Sequence, residues 1–112
     1  MTIDPERLRV EKHALIRRDI LRAVDAAKVA GGMGGRMLAS VLGGPPTGPE
    51  DESELMGLAE DLVHAGLLTR RDLRYRSTER VTPDNTAYDI TSQGTAVLAG
   101  VQRCPLVFDD RL

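Results

Sequence analysis

Leu58-Ala59-Glu60-Asp61-Leu62-Val63-His64-Ala65-Gly66-Leu67-Leu68, read with Tyr88-Asp89-Ile90-Thr91-Ser92-Gln93-Gly94, decides the fold. Leu55, Leu58, Ala59, Leu62 and Val63 recur at steps of three and four, the buried stripe of a helix. Asp51 or Ser53 supplies its N-cap. Gly66 follows the last periodic residue, where a left-handed glycine ends a helix. Leu67–Arg76 then reads as an extended run, and Pro83-Asp84-Asn85 as a turn signal. Ala87–Ile90 is the return strand. Thr91 caps a closing helix through about Ala99, and Gly100 stops it.

Upstream, Asp4 and Pro5 suit the start of a helix that runs to about Ala30. Ile16, Ile20, Leu21, Val24 and Ala27 form its apolar stripe. Its first half, Arg7–His13, is poor in large apolar residues and is expected to project as an arm or a dimer contact. Gly31-Gly32 ends it. A second helix covers about Arg36–Leu42, with Met37, Leu38, Val41 and Leu42 expected inward. Gly43–Pro49 cannot continue a helix, because prolines remove donors and glycines release the backbone. The predicted class is mainly α with a small β-hairpin (α+β), in the order α-α-α-β-β-α. A short extra strand near Gly31–Gly35 is a further expectation. Residues 1–100 form one domain, with the hairpin over 67–90, and 101–112 form a tail.

Across about Ala14–Gly100 the chain resembles winged helix-turn-helix domains. The resemblance is carried by Ile20-Leu21-Arg22-Ala23-Val24, by Leu58–Leu68 and by Ile90-Thr91-Ser92-Gln93-Gly94. More narrowly, it is similar to small winged-helix proteins that Mu-like bacteriophages carry near their packaging and head genes. Those also end in a Thr-x-x-Gly helix and a short Pro-containing tail, here Val97–Gly100 followed by Cys104-Pro105. The resemblance implies a phage-derived, DNA-binding transcriptional regulator or packaging accessory.

Two features depart from a DNA-reading helix-turn-helix. The turn between the second and third helices spans Gly43–Glu52, against the usual three to four residues. Between Glu50 and Gly66 there are six acids and no Lys or Arg. Carboxylates at the start of the third helix would meet phosphates with like charge. They also complement the helix dipole, at about 0.3–1 kcal/mol each.

The hairpin carries Arg70, Arg71, Arg74, Arg76 and Arg80, offset in part by Asp72, Glu79 and Asp84. On a strand, Arg70, Arg74 and Arg76 share one face, and Arg71 and Tyr75 the other. These arginines can hold phosphates or enter a minor groove. The alternative is that they keep an edge strand soluble and unpaired. Arg17, Arg18 and Arg22 cluster on the first helix, as further phosphate contacts or as a solvated face paired with Asp19 and Asp25.

Net charge is −2 over 112 residues, so a basic surface must be local. Cys104 is the single cysteine, which excludes an internal disulfide and a Cys-based zinc site. His13 and His64 lie on different helices, and no His-x-x-x-His is present. Gly31–Arg36 lacks the Gly-Lys-Ser/Thr ending of a phosphate loop. We read no catalytic residue, cofactor or metal. No apolar run reaches a membrane span, and Met1–Glu6 lacks a signal-peptide layout, so a cytoplasmic location is expected. The expected partner is double-stranded DNA. The alternative is an interaction module, either a homodimer through the first helix and tail or a basic protein against the acidic third helix. The apolar Leu106-Val107-Phe108 motivates the tail contact.

Overall fold

In the computed structural model, Asp4 caps the first helix, α1 (Pro5–Ala26), accepting the Glu6 N–H at 3.0 Å with Pro5 in the first turn. The structure describes residues 4–45, 47–72 and 81–108. Ile16, Ile20, Leu21 and Val24 are the buried face of α1, whereas residues 4–11 are exposed. The helix stops four residues earlier than the sequence suggested. Lys28–Ala30 tightens into a 3-10 turn, and Gly31 and Gly32 take left-handed backbone at φ 93° and 104°.

The Gly31–Gly35 corner contains a short strand, β1 (Met33–Gly34), and leads into α2 (Gly35–Leu42). Only Leu38 among the large apolar residues of α2 is fully buried. Met37 and Val41, expected inward, are 60% and 56% exposed. They are one turn apart, and only the opposite side of this short helix meets α1 and the Pro83–Asn85 turn.

The third helix is α3 (Glu52–His64), and Asp51 rather than Ser53 caps it, accepting the Glu54 N–H at 2.8 Å. Leu55, Met56, Leu58, Ala59 and Leu62 face the core, and Val63 is half-buried. It ends in a Schellman turn. Gly66, at φ 81°, donates to Val63 O, and the Leu67 N–H reaches Leu62 O at 2.9 Å. This places buried Leu67 over buried Leu62 and starts the next strand at a fixed angle.

Strand β2 (Leu68–Asp72) pairs antiparallel with β3 (Thr86–Ile90), in register from Leu68 opposite Ile90 to Asp72 opposite Thr86. The two residues of β1 pair with the other edge of β3 at Tyr88 and Ala87. The result is a three-stranded antiparallel sheet in the order β1-β3-β2. With the helices, the class is mixed α+β. Tyr88, on the central strand, is fully buried between helices and sheet.

The last helix, α4 (Ser92–Ala99), explains the Thr-x-x-Gly pattern physically. Thr91 Oγ1 accepts the Gly94 N–H at 3.0 Å and donates to Gly66 O at 2.7 Å, so one hydroxyl caps α4 and ties it to the end of α3. A Cβ at Gly94 would lie 2.3 Å from Leu67 O, so α4 can sit against that backbone only without a side chain there. Gly100, left-handed at φ 82°, ends α4.

Beyond it, residues 101–108 fold back on α1. Val107 is buried, Leu106 packs against the core, and the Phe108 N–H donates to Ala14 O at 3.2 Å. Leu106 and Val107 thus pack within the chain, whereas Phe108 stays 40% exposed.

Candidate nucleic-acid interface

Of the eight arginines singled out in the sequence, the five that the structure describes fall into separate places. Arg70 is on β2, on the same strand face as buried Leu68, and so is turned towards α3. Its Nη1 lies 2.5 Å from Glu60 Oε1, with side chains only 24% and 20% exposed. The Tyr88 hydroxyl also donates to that carboxylate, at 3.3 Å. Burial first, then the Glu60 charge, pushes the Tyr88 phenol up to about 12. Arg71, on the other face of β2, is more exposed. Its Nε is 3.0 Å from Asp89 Oδ2, and its Nη2 donates to Gly31 O. It therefore clasps the hairpin stem to the corner before β1.

Arg17 is the most enclosed of the set among the described residues, at 14% exposed. Nη2 meets Asp61 Oδ2 at 2.8 Å, and Nη1 donates to Leu106 O at 3.2 Å, so one guanidinium binds α1 to both α3 and the tail. Arg18 lies 5.2 Å from the Phe108 ring centroid and 3.9 Å from Asp19. With Arg22 and Arg103 it lines a cleft between α1, the end of α4 and the tail. Arg74, Arg76 and Arg80 lie outside the described residues.

The acids of α3, with Glu50 just before it, are the counterpart. Glu50 meets Lys12 at 2.8 Å, Glu54 meets His13 at 3.6 Å, and Asp61 and Glu60 meet Arg17 and Arg70. Glu52 shares Arg36 with Asp84, whose Oδ2 is 2.8 Å from Nη2. That shared guanidinium holds the Asp84 carboxyl below its usual range, and the Asp84 and then the Glu52 carboxylate raise the Arg36 pKa. Arg36 thus ties together the start of α2, the start of α3 and the Pro83–Asn85 turn. Sequence reasoning assigned it no role, because both partners are distant in the chain and no local motif marks it.

Two consequences follow for the surface. The arginine charge expected to face outward on β2 is taken up by Glu60 and Asp89. At the N-terminal end of α3, Glu50, Asp51, Glu52 and the nearby Asp84 are exposed carboxylates, against Lys12 and Arg36. The remaining outer side of α3 presents Ser53, Gly57 and His64. His64 Nδ1 is 2.8 Å from Glu60 O, a contact within its own helix. Among the described residues no group of three His, Cys, Asp or Glu side chains could hold a metal ion, and no helix is long and apolar enough to cross a membrane.

No protein-family model, curated protein or solved structure matches this chain.

Proposed function

We propose that the chain is a winged-helix module that works through protein–protein contacts and does not read a major groove. The chain order, with a short β1 between the first two helices and a sheet ordered β1-β3-β2, supports the winged-helix reading. In such a domain the start of the third helix would meet base edges and flanking phosphates. Here that end carries Glu50, Asp51 and Glu52, with Asp84 beside them. This placement of carboxylates carries the proposal, since each phosphate contact needs a cation or a neutral donor. The surface best placed for a partner is the first two turns of α1. Leu8 and Val10 are 52% and 65% exposed there, on a stretch of helix without core contacts.

A second reading, contact with the DNA backbone through the hairpin, is favoured by one observation. Arg71 stands on an edge strand, more than half exposed, and leads into the segment that holds Arg74, Arg76 and Arg80. Two measurements separate the readings. Light scattering at high micromolar concentration is expected to give a dimer mass that Leu8→Glu/Val10→Glu returns to monomer. Fluorescence anisotropy with a labelled duplex at low salt is expected to show no saturable binding below about 100 μM, the weak end of non-specific affinity. A monomer at every concentration, together with micromolar duplex binding lost on Arg74→Gln/Arg76→Gln/Arg80→Gln, overturns the proposal in favour of the second reading.

A further inference from the structure

We draw no further inference here: the strongest candidate, the cleft between α1, the end of α4 and the tail on which Arg18, Arg22 and Arg103 converge, carries none, because each of these arginines already holds an interaction within the chain and nothing in the structure shows what else would cover it.

Discussion

Replacing Gly94 by alanine puts the packing of α4 to a direct test. On an open helix this change is favourable by about 1 kcal/mol, because alanine loses less backbone entropy. At Gly94 the added Cβ would meet Leu67 O at 2.3 Å and Ile90 Cγ1 at 2.8 Å. Both lie well inside van der Waals contact, and the first is backbone that a side-chain rotation cannot relieve. Overpacking of this kind costs about 1–3 kcal/mol, and the upper end applies because the Thr91–Gly66 hydrogen bond holds α4 in place. The net expectation is a loss of about 1–2 kcal/mol, which lowers Tm by about 4–15 °C for a domain of this size. Gly57 is the matched control. It lies in the middle of α3, and a Cβ there meets nothing within 4 Å. Gly57→Ala should raise stability by about 0.5–1 kcal/mol. Urea denaturation followed by circular dichroism measures both variants. If Gly94→Ala matches Gly57→Ala in sign, α4 does not rest on the Leu67 backbone, and the account of the Thr-x-x-Gly pattern is wrong.

Arg70→Gln should destabilise by about 1–3 kcal/mol, because Glu60 loses the cation facing it in a half-buried site. Arg70→Gln with Glu60→Gln should recover part of that loss, and an additive double-mutant cycle would refute the pairing. In a Tyr75→Phe background, absorbance at 295 nm should show Tyr88 ionising near 12 in the folded protein. Since that value lies above the roughly 10 of an unfolded tyrosine, the associated stability is fully present below pH 10 and is lost as pH rises towards 12. An ordinary titration near 10 without unfolding would contradict the burial of its hydroxyl. Val107→Ala should cost about 1.5–2.5 kcal/mol, from two buried methyl groups and the space they leave. A neutral result would show that the tail does not pack on α1.

The helices and the hairpin stem were readable because their signals are local. Periodicity marked Ile16–Val24 and Leu55–Leu62, while Gly66, Thr91 and Gly100 marked ends through backbone chemistry that any tertiary context preserves. Even β1 was foreshadowed by the glycine corner. Misreadings came where packing decides. Met37 and Val41 fit an inward stripe by spacing, but α2 is short and has neighbours on one side only. Leu106 and Val107 gave no local sign of the seam that α1 leaves for them, while Phe108 does stay 40% exposed. The arginines were the hardest case. Alternation gives the two faces of β2 but not which face meets the core, and Leu68 settles that only once the sheet is docked. The partners of Arg17 and Arg70 lie across the fold on α3, and charge totals alone do not pair them. Of the site residues, Arg74, Arg76 and Arg80 fall outside the described residues.

The bond from Phe108 to Ala14 joins two residues 94 positions apart in the sequence. α1 is therefore synthesised well before residues 104–108, which pack on its flank. Until they are made, that flank of α1 lacks the hydrogen bonds that Leu106 and Phe108 supply to it. Final closure is a long-range contact with a loop entropy to match, so it belongs late in folding. Ribosome-stalled chains of increasing length should gain protease resistance abruptly once this closing segment clears the exit tunnel.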